Sequence, residues 1–244
     1  MNIEVSKRLS HFQTGIFAAL NEKKDALVKS GKKVYNLSVG TPDFPVAEHI
    51  QNALIDAAKD PDNFHYALKD LPEMLEAVKD YYKKRFGVEI STDEITSVNG
   101  SQEGIAHIGM ALCNPEDVVL LPNPGYPVFE VGSFFGRAQS YYYDLKEENN
   151  FLPRFDEIPE EIAKKAKYIM VSYPYNPVCA LAPKSFYEEL IAFAKKYNII
   201  IVHDNAYSDI IYDGVYGGSF LEFEGAKELG VELFSLSKSF NLTG

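Results

Sequence analysis

The sequence predicts an α/β fold, a mostly parallel central sheet flanked by helices. Two observations carry this expectation. Short β-rich runs alternate with longer helical patterns along most of the chain, as strands joined by crossover helices require. The run Ile199, Ile200, Ile201, Val202 is apolar on both alternating faces, which suits a central strand covered by helices on both sides. In open sheets of this kind ligands gather at the carboxyl ends of the strands. The polar residues that follow each run are therefore the candidates for function.

Taken in order, the first element is an amphipathic helix over residues 15–30, GIFAALNEKKDALVKS, with apolar Ile16, Leu20 and Leu27 and a stop signal at Gly31. It sets an N-terminal helical segment, 1–33, apart from a large domain over 34–244. Seven runs then read as strands: KVYNLSV, EITSVN, DVVLLP, AQSYYYDL, YIMVSYP, NIIIVHD and VELFSLS. Between them, LPEMLEAVKDYYKKRFG and SFYEELIAFAKKYN read as helices. The loops GTPDFP, LPNPGYP and SYPYNP punctuate these units and can present backbone groups to a ligand. No internal repeat, low-complexity tract or linker interrupts the pattern.

Composition narrows the function. With 244 residues, 46% of them hydrophobic, the chain can pack a sizeable core. A formal net charge of -11, with no basic run interleaved with aromatics, argues against nucleic acid as a partner. The start, MNIEVSKRLSHFQTG, lacks a signal peptide's apolar core, and no later run approaches the length of a membrane span. Cys113 and Cys179 stand far apart, which suits a reducing compartment. A cytoplasmic protein without membrane contact is expected.

Several chemistries fail on their motifs. There is no G-x-G-x-x-G and no G-x-x-x-x-G-K-[ST] for a nucleotide. His11, His49, His65, His107 and His203 are scattered without metal-ligand spacing, so no metal site is expected. No G-x-S-x-G elbow offers a hydrolase nucleophile. What remains are two polar segments, each after a β-like run: His203-Asp204-Asn205-Ala206-Tyr207 and Ser235-Leu236-Ser237-Lys238-Ser239. Upstream stand Asn99-Gly100-Ser101-Gln102 before an apparent helix, whose free amides suit an anion, and the turns around Tyr126 and Asn176.

Together these segments resemble the fold-type I pyridoxal-phosphate enzymes, specifically the class I/II aminotransferases, with the run of motifs most similar to the LL-diaminopimelate aminotransferase group. The resemblance extends through the whole chain. It implies pyridoxal 5'-phosphate as cofactor, with Lys238 of SLSK forming the Schiff base. It pairs Asp204 of DNAY with the pyridine nitrogen and directs Tyr207 and Asn176 to the phenolic oxygen. It gives the phosphate to Ser101, Gln102 and Ser235, stacks Tyr126 of PGYP on the ring, and brings Tyr66 to the phosphate of a neighbouring subunit in a homodimer. Gly40 and Asn176 fall at positions that meet the substrate.

The chemistry explains these residue types. A protonated pyridine is the electron sink for the carbanion left when the substrate α-proton departs, and a buried carboxylate keeps that nitrogen protonated. The lysine must serve first as nucleophile and then as base, which arginine cannot do. Singly, each residue has an ordinary explanation: Asp204 and Ser101 as helix caps, Tyr207 and Tyr126 as packing groups, Asn176 as a turn residue, Lys238 as a surface charge. The ordered conjunction carries the reading.

The implied reaction transfers an amino group from an α-amino acid to a 2-oxo acid. Two alternatives share these residues: a C–S β-lyase of the same fold, and a non-catalytic aminotransferase-like binding module. Departures touch the substrate side. Asp70 stands where the family often has glycine, Leu75 where it often has arginine, and Asn176-Pro177-Val178-Cys179 replaces an N-P-T-G turn. The chain stops at Gly244, ahead of the family's phosphate-binding arginine and of the small domain whose arginine clamps the α-carboxylate, so a truncated large domain is expected.

Overall fold

The computed structural model describes residues 4–7, 16–37 and 40–243, which divide into two compact units, 1–44 and 45–244. In the first unit, helix α1 (Ile16–Lys29) occupies the predicted stretch. Gly31 ends it with φ +81°, a left-handed conformation that glycine adopts without steric cost, and its N–H donates to the Val28 carbonyl at 2.9 Å. Residues 33–37 of the predicted strand KVYNLSV join no sheet, and Tyr35 and Leu37 are exposed. Gly15, His11, Ser38, Val39 and Gly244 lie outside the described residues.

The second unit holds helices α2 (Glu48–Lys59), α3 (Pro72–Phe86), α4 (Ser101–Leu112), α5 (Val128–Phe135), α6 (Glu160–Ala163), α7 (Lys184–Tyr197), α8 (Ala226–Leu229) and α9 (Leu236–Ser239). Its strands are β1 (Val118–Asn123), β2 (Gln139–Asp144), β3 (Ala166–Ser172), β4 (Ile200–Asn205) and β5 (Gly230–Phe234). They form one sheet in the order β2-β1-β3-β4-β5, with every pairing parallel. All carboxyl ends therefore share one edge, where Asp204 of β4 stands.

Side-chain alternation splits the strands between two cores. Val118, Leu120, Ile169, Val171 and Ile201 pack against Phe186, Leu190 and Phe193 of α7. Val119, Leu121, Met170 and Val202 pack on the other face against Ile105 of α4 and Phe129 of α5. As predicted from its doubly apolar run, β4 is an interior strand, between β3 and β5. Each fully buried leucine or isoleucine contributes about 1.5–3 kcal/mol, so this two-sided burial is what holds the sheet edge in place. α3 begins on Pro72, whose missing N–H is harmless in a first turn, and ends at Gly87 with φ +70°. α7 ends on Asn198, also left-handed.

Two further sequence-based expectations differ from the structure. EITSVN forms no strand: Thr92–Glu94 is a 3-10 turn, and the residues after it spend a backbone donor on a side chain, Ser97 N–H to Asp70 Oδ2 at 3.1 Å. A strand needs a neighbour to exchange such bonds, and Asp70 takes that place here. VELFSLS is a strand only as far as Phe234. Beyond it the Ser235 side chain accepts from the Ser237 N–H at 3.2 Å and caps the short turn α9. Among the described residues no helix is long and apolar enough to cross a membrane.

Candidate active site

Asp204 is the site's electrostatic centre. Parallel register places it at the end of β4, between Ser172 of β3 and Leu233 of β5. It is 7% exposed, and its Oδ1 is buried with no hydrogen-bond partner. Burial, with a smaller contribution from Glu232, pushes its carboxyl up to about 6, against the opposing influence of His203 and Lys238. A buried carboxylate oxygen without a donor is costly in isolation and ready for a cationic N–H. The protonated pyridine nitrogen of pyridoxal phosphate is such a donor, so the residues present fit that group.

Around Asp204 stand most of the residues singled out in the sequence. Asn176 Nδ2 donates to the Tyr207 hydroxyl at 3.4 Å. Burial, then Asp204 and Tyr126, raises the Tyr207 phenol above its ordinary value. Lys238 Nζ lies 5.8 Å from the centroid of the Tyr207 ring. Gln102 Nε2 donates to the Tyr126 hydroxyl, and burial followed by Asp204 raises that phenol too. The Tyr175 hydroxyl donates to the Pro124 carbonyl and so ties the turn after β3 to the turn after β1.

Ser101 opens α4, whose N-cap Gly100 has φ +78°. A Cβ on Gly104, one turn into that helix, would stand 2.6 Å from the Leu233 side chain beside Asp204, so the helix start is packed closely on β5. Ser235, buried at the end of β5, caps the turn that carries Lys238. The amino end of α4 and the Ser235 turn are thus both set at the strand-end edge, where free amides favour an anion.

Two further predicted residues are exposed. Tyr66, in the stretch between a 3-10 turn at Pro61–Asn63 and α3, has a side chain 90% exposed. Gly40 belongs to the unit 1–44 and is exposed, with open space where a Cβ would be.

Sequence reading passed over a buried network directly behind Asp204. Glu232 of β5, whose side chain is wholly buried and which is in register with His203, accepts from His203 Nδ1 at 2.9 Å, the Tyr82 and Ser219 hydroxyls at 2.8 Å and the Phe220 N–H at 2.8 Å. Burial opposes its charge, but bonds from His203, Ser219 and Tyr82 outweigh that and hold the carboxyl below its ordinary value. The signal was a charged residue at an alternating position inside VELF, next to a strand ending in His-Asp.

An all-parallel sheet that gathers a buried carboxylate, a tyrosine, an asparagine and a lysine beside a helix amino end has the architecture of a fold-type I large domain. The chain belongs to the aminotransferase class I and II family, whose model matches residues 32–244. It is 43% identical to the LL-diaminopimelate aminotransferase of Halothermothrix orenii over 244 residues, covering 99% of this chain and 63% of that protein. The corresponding enzyme of Aquifex aeolicus is 44% identical over 243 residues, with the same coverage. Among solved structures, substrate-bound BacF from Bacillus subtilis matches with a TM-score of 0.95 and 36% identity, over 100% of this chain and 62% of that one. A probable N-succinyldiaminopimelate aminotransferase from Thermus thermophilus matches at 0.88 and 36%, over 94% and 62%. The chain therefore spans about 63% of the length of the curated relatives it matches.

Proposed function

We propose that the complete protein is a pyridoxal-phosphate-dependent aminotransferase that moves an amino group from an α-amino acid, with LL-diaminopimelate as the first candidate, to a 2-oxo acid. The observation that carries this reading is Asp204, a buried carboxylate with an unpartnered oxygen, grouped with Tyr207, Asn176 and Lys238. The candidate donor rests on the names of relatives at 40–44% identity.

When bound, the cofactor supplies the electron sink for the substrate carbanion. Asp204 holds the proton on its pyridine nitrogen. Lys238 Nζ would hold the cofactor covalently and would also serve as the base that takes the α-proton from the substrate Cα. Asn176 and Tyr207 would hold the phenolic oxygen, and Tyr126 would pack against the ring. Ser101, Gln102 and Ser235, with the amino end of α4, hold the phosphate. Asn176 would also meet the substrate, and the family resemblance gives Gly40 a role toward the substrate carboxylate. The large domain is read as 34–244, with Tyr66 serving the neighbouring site in a homodimer. Two unpaired cysteines, Cys113 and Cys179, suit the cytoplasm.

The test follows the nitrogen. Incubating the complete enzyme with amino-labelled LL-diaminopimelate and a 2-oxo acid is expected to place the label in the new amino acid, with no turnover when the acceptor is omitted. Release of labelled ammonia without an acceptor would contradict transamination.

A further inference from the structure

The lysine-bearing turn α9 is short, and two of its bonds are local. In α9 the Phe240 N–H reaches the Leu236 carbonyl at 3.1 Å, and Ser237 Oγ donates to the Leu242 carbonyl at 3.1 Å. With the Ser235 cap, these bonds shape the turn without tying it to the segment that carries Asp204 and Tyr207. A tie to that segment is made one residue past the lysine. Ser239 Oγ donates to Asp209 Oδ2 at 2.8 Å, and Asp209 lies two residues beyond Tyr207.

The carboxylate that receives Ser239 is itself anchored. The Tyr81 hydroxyl donates to Asp209 Oδ2 at 2.7 Å and Arg85 Nε to Oδ1 at 3.2 Å, both from α3. The Arg85 guanidinium lies over the Phe86 and Tyr216 rings, at 5.2 and 5.1 Å from their centroids. Partial burial works against the charge on Asp209, but the bonds from Tyr81, Ser239 and Arg85 prevail and keep the carboxyl below its ordinary value. One ionised group thus joins α3, the segment after β4 and the turn after β5. Hydrogen bonds to a charged acceptor are the stronger kind, and a group on three elements fixes their relative positions.

We propose that Asp209 is a positioning residue which, through Ser239, sets where Lys238 Nζ stands relative to Asp204 and Tyr207. The proposal rests on the assignment of Lys238 as the cofactor-bonding lysine. A reactive amine displaced by as little as an ångström loses rate steeply, so a tether adjacent to the lysine acts on bond formation.

The experiment uses the complete protein, stripped of cofactor, in wild-type, Ser239→Ala, Ser239→Thr, Asp209→Ala and Asp209→Ala/Ser239→Ala forms. Pyridoxal phosphate is added, and growth of the lysine-bound chromophore and its midpoint of pH titration are recorded, alongside thermal unfolding of the cofactor-free forms. Ser239→Ala is expected to slow bond formation about tenfold and to move the pH midpoint while lowering the unfolding temperature by only the few degrees that one hydrogen bond to a charged acceptor is worth. Ser239→Thr, which keeps the hydroxyl, restores the rate. The double variant is no slower than Asp209→Ala, because the two residues act through one bond. Wild-type rate and midpoint in Ser239→Ala would overturn the proposal and leave Asp209 a purely structural group. A wild-type protein that bonds no cofactor would overturn the parent assignment instead, and is read before any variant.

Discussion

At the scale of single residues, Asp204 stores a conflict between stability and function. Its carboxyl stands at about 6 in the fold against an ordinary 3.8, so the folded state binds its proton more tightly than the unfolded chain does. Stability from that proton is complete below the ordinary value and is lost as pH rises through about 6. At about 1.4 kcal/mol per pKa unit, the ionised carboxylate costs the cofactor-free protein about 3 kcal/mol at neutral pH. Asp204→Asn is therefore expected to raise the melting temperature of the cofactor-free protein at pH 7 and to leave it nearly unchanged at pH 4. In the complete enzyme the same change should lower kcat by about 100-fold or more, the order seen when a preorganised electrostatic partner is removed. Unfolding curves at two pH values and a kinetic assay check both halves.

Glu232 has the opposite sign. Its carboxyl is held below the ordinary value, so the stability it confers is present above that value and is lost as pH falls. Glu232→Gln leaves His203, Tyr82 and Ser219 facing a neutral amide in a dry site. A loss of about 3–5 kcal/mol is expected, measurable by denaturant unfolding. The two carboxylates lie on adjacent strands, yet the donors around them give them opposite titration behaviour. Lys238 and Asp204 were legible in the sequence because they sit in short local motifs. The Glu232 network was not, because its Tyr82 donor lies 150 residues away and only the fold brings the two together.

Among the elements, the contact between α4 and α5 is set by glycines. A Cβ at Gly109 would stand 1.9 Å from the Gly132 carbonyl oxygen, and one at Gly132 would stand 2.4 Å from the Ile105 carbonyl oxygen. The backbones touch, so no flexible side chain can give way. Gly109→Ala must push α5 off α4, and a destabilisation of at least about 1–3 kcal/mol is expected from calorimetry, with the amino end of α4 moving at the strand-end edge. Periodicity foretold α1, α3 and α7, and Gly31 was read as the stop of α1, because capping and amphipathic spacing are local. It misjudged EITSVN, where Asp70 rather than a neighbouring strand takes the Ser97 N–H. Asp70 was noticed only as a departure from glycine.

For the whole molecule, parallel pairing was readable from alternation, whereas the strand order β2-β1-β3-β4-β5 was not, since order depends on which helices cover which face. Tyr66 belongs to this scale. Its exposed side chain fits a residue that acts on a neighbouring subunit. Hybrid dimers of the complete enzyme made from Tyr66→Ala and Lys238→Ala protomers test that role. If Tyr66 serves the partner's site, the hybrid contains one intact site and regains activity that neither parent shows. If it serves its own, the hybrid stays as inactive as its parents.

The central claim is that Lys238 is the residue that bonds the cofactor, and reduction with borohydride tests it most directly. After the complete enzyme is loaded with pyridoxal phosphate, reduced and digested, peptide mass spectrometry should find the phosphopyridoxyl group on Lys238, and Lys238→Ala should carry none. A modified lysine elsewhere, or an unmodified Lys238 in enzyme that still transaminates, would contradict the account.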